Sequence, residues 1–272
     1  DVRYRINDFA VAGEPVGLLT GTLGLRGTEV IGEAEANSDK LALTATGRIS
    51  LEVGEAYDAD LTFRFHDSPL DPYARAYMPK LAESTKAVAS GTVRVNGPLE
   101  DLNRLKVDAS VDRLEMTLFD YGIRIPSPIH LTMDRQVVRV ENFQLVGDQT
   151  QLAIGGSVSL GDERVALRAN GDANLGILQG FMKDVRGAGR ATLTAAIDGP
   201  MYEPNFSGSA VITDGRVRHF SLPNSLEGIN GAIRFDSRGV RLDDITASMG
   251  GGRVQFGGRV ALDGYLPGDL NV

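Results

Sequence analysis

The stretch Leu41-Ala42-Leu43-Thr44-Ala45-Thr46-Gly47-Arg48-Ile49-Ser50-Leu51-Glu52-Val53 alternates apolar and polar side chains almost without a break. A period of two belongs to a strand with one dry face, because successive side chains on extended backbone point to opposite sides. The same alternation returns in Leu61-Thr62-Phe63-Arg64-Phe65, flanked by Asp60 and His66, then in Val93-Arg94-Val95, Leu105 to Val111 and Leu114 to Leu118. It continues in Val138-Arg139-Val140, Leu152-Ala153-Ile154, Val165-Ala166-Leu167, Leu193-Thr194-Ala195, Ile233-Arg234-Phe235 and Val254-Gln255-Phe256. Turn signals stand between these runs: Asn96-Gly97-Pro98, Gly147-Asp148, Gly161-Asp162, Asp198-Gly199-Pro200, Asp214-Gly215, Ser237-Arg238-Gly239 and Asp263-Gly264. Two stretches break the rule, Pro69 to Pro79 and Leu175 to Met182, and read as short helices or structured loops. In the first, Leu70, Tyr73, Ala74 and Tyr77 share one helical face.

Composition agrees with a chain of strands and turns. Of 272 residues 33 are Gly, about 12% against a usual 7% or so, while 42% are apolar, enough to build a core. The absence of Cys excludes disulfide frameworks, thiolate metal sites and thiol nucleophiles. A net charge of −8 without a basic tract argues against nucleic acid as a partner. No apolar run reaches the roughly 20 residues of a spanning helix. The chain starts at Asp1-Val2-Arg3-Tyr4 already in a strand pattern, so it is expected to be a segment of a longer protein.

Sliding the chain along itself by 102 positions brings Gly97-Pro98 onto Gly199-Pro200, Asn103 onto Asn205 and Asp112 onto Asp214. It also brings Asp134 onto Asp236, Val138-Arg139 onto Val240-Arg241, Gly155-Gly156 onto Gly257-Gly258, Val158 onto Val260 and Leu160 onto Leu262. At an offset of 109, Leu43, Gly47, Ile49 and Leu51 fall on Leu152, Gly156, Val158 and Leu160. These matches divide the chain into a partial repeat over 1–55 and full repeats over 56–162 and 163–272. The fold expected is all-β: an elongated, curved antiparallel sheet of repeated groove-like modules, its concave face apolar, with short helices or loops between repeats.

An apolar sheet face must be hidden by a second sheet, by barrel closure or by a non-protein apolar partner. Only 17 residues are aromatic, and the dry positions are mainly Leu, Val, Ile, Ala and Gly. Such an aliphatic lining suits acyl chains, each buried methylene contributing about 0.8 kcal/mol. The positions expected to line the groove are Leu43, Ile49, Leu61, Phe63, Val107, Leu114, Leu118, Val140, Leu152, Ile154 and Val158. In the last repeat they are Leu167, Leu193, Ile197, Phe206, Ile212, Ile233, Phe235, Val254, Phe256 and Val260. Charges at Leu152, Leu193 or Phe256 should therefore abolish lipid transfer in a folded protein, and charges at Ala153, Thr194 or Gln255 should be tolerated.

Gly187-Ala188-Gly189, Leu193 to Ile197, Gly199-Pro200-Met201-Tyr202-Glu203-Pro204-Asn205-Phe206-Ser207-Gly208 and Asp214-Gly215 resemble the recurrent element of TamB and related AsmA-like proteins. Leu222-Pro223, Leu226 to Phe235, Gly250-Gly251-Gly252 and Gly257 to Leu262 extend the resemblance. It is good over about residues 187–264 and weaker over 90–162. The resemblance implies a stacked β-groove in the periplasm, held at the inner membrane by an N-terminal anchor outside this segment. It also implies phospholipid transfer to the outer membrane, with acyl chains as the partner. Outer-membrane protein assembly and secretion with a barrel-type partner follow from TamB in particular. A scaffold or chaperone that captures unfolded outer-membrane strands by edge pairing is the competing reading. A membrane-embedded barrel is disfavoured because the strands lack aromatic girdles and their alternation is interrupted by Gly and charge.

Catalytic signatures are not found. His66, His130 and His219 are far apart, and neither a GxSxG elbow nor a GxxxxGK[ST] loop occurs. His66-Asp67 reads as a surface turn, Gly250-Gly251-Gly252 as a bulge or tight hairpin, and Asp243-Asp244 and Asp269 lack the spacing of a calcium loop. No enzyme activity, metal or cofactor is expected.

Overall fold

A computed structural model describes residues 1–11, 13–52, 57–77, 83–118, 120–180, 184–221, 223–261 and 270–271. Val53, Met78-Pro79, Phe181-Met182, Leu222, the turn Asp263-Gly264 and Asp269 lie outside the described residues. The first strands are β1 (Val2–Val11), β2 (Glu14–Arg26), β3 (Glu29–Asn37) and β4 (Ala42–Ser50). Next come β5 (Asp58–Pro69), a helix α1 (Asp71–Tyr77), β6 (Thr85–Pro98), β7 (Lys106–Leu118), β8 (Tyr121–Arg124) and β9 (Ile129–Asp134). After β10 (Val137–Gly147), β11 (Thr150–Ser159) and β12 (Arg164–Asn174) comes a 3₁₀ helix, η1 (Leu175–Gly180). The last strands are β13 (Val185–Pro200), β14 (Asn205–His219), β15 (Leu226–Asp236), β16 (Gly239–Met249), β17 (Gly252–Ala261) and β18 (Leu270–Asn271).

All the strands belong to one antiparallel sheet, a meander in which almost every strand pairs with its sequence neighbour. The exception is β8 and β9, which lie end to end between β7 and β10 as one broken strand. Pro126 and Pro128 fall in the break, where proline cannot donate to the ladder. At about 4.8 Å per step, the path across the sheet from β1 to β17 is about 72 Å. No register joins β1 to any strand but β2 among the described residues.

Where the sequence predicts two strands, Leu105 to Val111 and Leu114 to Leu118, the structure has the single strand β7. The ladder slips by one residue between Gly91 and Ser90, leaving Asp112 as a bulge. The expected turn at Asp214-Gly215 is likewise a bulge inside β14, with Asp214 at φ 48°. Aspartate tolerates left-handed backbone, so one local preference serves a turn or a bulge, and the neighbouring strand decides which. Asn96-Gly97-Pro98 and Asp198-Gly199-Pro200 close the ends of β6 and β13, and the chain reverses just after each. His66-Asp67 is also a bulge within β5, with Asp67 at φ 41°. Gly250-Gly251 forms the tight hairpin between β16 and β17.

The order of elements recurs. β10 and β11 map onto β16 and β17 residue for residue at the 102 offset, and both β10 and β16 are bulged, at Asn142 (φ 53°) and Asp244 (φ 49°). α1 and η1 occupy the same place in the order, each between a long strand and the next. The ungapped offset fails in one strand. Val107 pairs with Met133 on the apolar side, whereas Ser209 is paired with Thr194 on the polar side. At the 102 offset Val107 corresponds to Gly208 when read from its partner Met133 (Phe235) and to Phe206 when read from its partner Val95 (Ile197), so no single offset carries β7 onto β14.

Both helices sit at one end of the sheet and close it. Asp71 at the start of α1 accepts from Ala87 N at 3.3 Å and pairs with Arg75 at 3.0 Å and Lys86 at 3.5 Å. Arg75 also donates to Thr85 O at 3.0 Å. η1 is started by Asn174, whose Oδ1 accepts from Gly176 N at 2.8 Å. η1 packs on β7 and β8 to one side and on β13 and β14 to the other. A flat sheet would hold β7 and β14 about 29 Å apart, whereas six 3₁₀ residues span about 12 Å. η1 reaches both because the sheet curls around it, which makes this face the concave one.

Candidate functional site

Cross-strand partners in an antiparallel ladder project to the same face, so the registers sort every strand residue into one of two surfaces. One row crosses the sheet through Tyr4, Gly21, Ala34, Ala45, Phe63, Val93, Ala109, Leu131, Val140, Gly156, Leu167, Ile197 and Phe206. No residue in it is charged. A second row runs through Leu145, Leu152, Gly171, Leu193, Ala210, Ile233, Leu242 and Gly258. One step along the strands, the opposite face shows Arg5, Thr20, Glu35, Thr44, Arg64, Thr92, Ser110, His130 and Glu141 in register. The two surfaces differ in chemistry along their whole length.

The registers bring Leu43, Ile49, Leu61, Phe63, Val107, Leu114, Leu118, Val140, Leu152, Ile154, Val158, Leu167, Leu193, Ile197, Phe206, Ile212, Ile233, Phe235, Val254 and Phe256 to the apolar face. Val260 is paired with Val240. Burial divides the set. Leu118 and Leu152 are each 4% exposed and Leu114 9%, Phe206 is 47% exposed, and the others, Val260 set aside, are half-buried. Half-burial is what a single curled sheet gives its inner face when no second layer lies on it. Ala153, Thr194 and Gln255 are on the outer face and exposed.

Leu114, Leu118 and Leu152 belong instead to a sealed zone at the helix end. They pack with Ala89, Tyr121, Ile123, Ile125, Ile129, Leu145 and Ala173, and with the half-buried Leu70 before α1 and Ile177 of η1. A charge at Leu152 would thus break a core, whereas Leu193 and Phe256 are half-buried on the open face, at the edges of buried clusters. The sequence reading missed Tyr121, Ile123, Ile125 and Ile129. Tyr121, Ile123 and Ile125 do alternate with Gly122, Arg124 and Pro126 at the period of a strand, so the signal was present but short. Tyr121 donates to Asp148 O at 2.9 Å and shares a short hydrogen bond with Thr150, whose Oγ1 accepts from Asn174 N at 2.8 Å. This polar knot ties β8, β11 and the start of η1 together inside the apolar zone. Burial pushes the Tyr121 phenol above its usual pKa, and Asp148 adds to this, while the bond to Thr150 opposes it.

From the sealed zone the apolar contacts continue without interruption. Leu193 joins it to a cluster of Leu175, Ala191 and Ala210, and Ile212, Val217 and Ile233 join that cluster to one of Ile229, Ile245 and Ala247. Glycine keeps the face tightly curled. Gly32, Gly47 and Gly91 lie on it opposite Leu23, Leu61 and Phe65, whose side chains fill the space a Cβ would need, at 2.6, 2.8 and 2.8 Å.

The depression bounded by Gln144, Arg168, Asn170 and Asp198 is on the outer face, away from the apolar rows. His66 and His130 are also outside, the former 3.2 Å from Asp67 and exposed, while His219 ends β14 and accepts from Ser221 N at 3.1 Å. Among the described residues no three His, Asp or Glu side chains gather as a metal site would require. No helix among them is long and apolar enough to cross a membrane. Comparison of the chain with protein-family models, with curated proteins and with solved structures gave no match.

Proposed function

We propose that the chain is a segment of a TamB/AsmA-like bridge and that its apolar trough carries phospholipid acyl chains between the inner and outer membranes, in support of outer-membrane protein assembly and secretion. The observation that carries this reading is the thirteen-strand row from Tyr4 to Phe206, apolar or Gly at every step except for the Tyr4 hydroxyl, on a face that stays half-open. An acyl chain needs a continuous aliphatic surface and no directional bonds, so it can slide from strand to strand. Each methylene that leaves water for such a lining contributes about 0.8 kcal/mol. A periplasmic location, an inner-membrane anchor and a barrel-type partner belong to the same proposal and rest on the sequence resemblance.

The test is mass spectrometry of organic extracts from purified protein. The unaltered chain should carry phospholipid. Leu193→Asp and Phe256→Asp should lose it while keeping a β-rich circular dichroism spectrum, and Thr194→Asp and Gln255→Asp should keep it. Equal lipid in all four variants, or none in the unaltered chain, overturns the reading. The competing scaffold reading draws on one observation, the outer side of β1, which no other described strand pairs with and which offers a row of backbone donors and acceptors to an extended peptide. It requires binding of extended peptides that is indifferent to Leu193→Asp and Phe256→Asp.

A further inference from the structure

On the outer face the chain makes a shallow hollow at the same place in each repeat. The glycines that the offsets of 109 and 102 align, Gly47, Gly156 and Gly258, each border one. In the last two repeats the same device opens it. β10 is bulged at Asn142 opposite Gly155, and β16 at Asp244 opposite Gly257, so two residues of one strand stand against a single glycine of the next. A bulge bends its strand and interrupts the ladder, and the glycine beside it puts no side chain into the gap.

The three hollows differ in how their walls are satisfied. At Gly47 the Arg48 guanidinium lies 3.9 and 3.8 Å from Glu29 and Asp60. At Gly258, Asp243 takes Arg241 at 2.9 Å and Arg234 at 3.3 Å, and Asp236 takes Arg259 at 3.7 Å. The middle hollow is different. Asn142, Gln144, Arg168, Asn170 and Asp198 line it, and among the described residues none of these side chains has a hydrogen-bond or ion-pair partner. Its floor is Ala153, Gly155, Ala166 and Ala196, each of which has a wall residue as its direct cross-strand partner. The volume is about 590 Å³, inside the range of about 300–1,000 Å³ typical of small-ligand clefts.

We propose that this middle hollow binds a neutral, hydroxyl-rich ligand, a segment of oligosaccharide. One guanidinium and one carboxylate cancel, so charge favours neither an anion nor a cation. The three carboxamides each offer N–H donors and a carbonyl acceptor, the guanidinium only donates and the carboxylate only accepts. A sugar hydroxyl donates and accepts, so neighbouring hydroxyls use the whole mixed set. A phosphate would use the donors alone, and an ammonium the acceptors alone. The alanine methyls and the glycine beneath them give the C–H face of a pyranose ring a flat apolar floor. The hollow is on the face opposite the trough and does not depend on what fills it.

Saturation-transfer NMR and titration calorimetry of the whole chain test this with maltotriose, cellotriose, mannotriose and chitotriose, and with glycerol phosphate as the charged probe. At least one sugar should bind, with an affinity that does not fall as salt is added. Gly155→Leu fills the hollow. A Cβ there meets only Val140 O within 4 Å, at an ordinary 3.7 Å, so the variant should keep the Tm of the unaltered chain and lose the sugar. Asn170→Ala, at an exposed position, should weaken binding about three- to tenfold through its lost hydrogen bonds. Gly257→Leu, the equivalent change in the last repeat, also enters open space and should bind as the unaltered chain does. Failure of all four sugars to bind, binding of glycerol phosphate alone, or equal loss in Gly155→Leu and Gly257→Leu overturns the proposal. Lipid retention by Leu193→Asp reads the other face, so this proposal and the trough reading fail separately.

Discussion

Phe65 lies over Gly91, its cross-strand partner, so closely that a Cβ on the glycine would stand 2.8 Å from the Phe65 ring carbon Cζ. The phenyl ring occupies the space a side chain would otherwise take, and the backbone oxygen of Ser110 closes the other side. This large-over-glycine pairing lets an aliphatic face curl without forcing side chains into one another.

Gly91→Ala should therefore cost about 1–3 kcal/mol in urea unfolding, because neither the ring nor the Ser110 carbonyl can give way without moving a strand. Gly122→Ala has open space around it and should stay within about 0.5 kcal/mol of the unaltered chain. Equal effects of the two would mean that glycine acts here only through chain entropy.

Leu152 and Phe256 share the apolar face but differ in cover, 4% exposed against half-buried. Leu152→Ala should destabilise by about 2–5 kcal/mol through the cavity it leaves in the sealed zone. Phe256→Ala should cost less in unfolding and more in bound lipid. The comparison needs both a denaturation midpoint and an extract measured on each variant, and a reversed order would move the open part of the trough to the helix end.

Tyr121 joins pH to stability. Its folded pKa is raised, so the native state holds the phenolic proton at a pH where the unfolded chain has released it. Its contribution is present in full below the unfolded value, about 10, and is lost as pH rises through the higher folded value. Ultraviolet titration should show two tyrosines ionising late, since burial and then Glu14 raise Tyr73 as well, and Tyr121→Phe should remove one of them. The variant should also lose about 1–2 kcal/mol, because Asp148 O and Thr150 Oγ1 lose their hydrogen-bond partner.

Asp71 is 4% exposed and holds α1 to β6 through Ala87 N and Lys86, while it also pairs with Arg75 one turn along the helix. Asp71→Ala should cost about 2–3 kcal/mol and free the helix. Hydrogen exchange over 71–77 should quicken by more than it does in β10 or β11. Uniform quickening would show that α1 is integral to the sheet rather than docked on it.

The inner face was the most legible part of the chain. Leu43 and Ile49, or Leu193 and Ile197, sit an even number of residues apart in unbulged strand, and a period of two needs no partner to be read. The turns were legible only in part: Gly250-Gly251 makes a hairpin, whereas Asp214-Gly215, equally turn-like, is carried inside β14. The failure of the 102 offset between β7 and β14 was hidden because Asp112 and Asp214 align by type while the bulges they make fall at different places in the ladder. One residue of error there sends every side chain to the other face.

Local chemistry by itself determined that this chain makes strands, which residues of most strands are dry and where two short helices interrupt them, because these follow from nearest neighbours along the backbone. Only the tertiary structure decided that Tyr121, Thr150 and Asn174 meet beneath η1, that Phe65 covers Gly91 and that Gln144 and Asn170 wall one hollow. Each of these pairs joins residues more than twenty positions apart, and their meeting depends on bulges and curvature that the partner strand imposes.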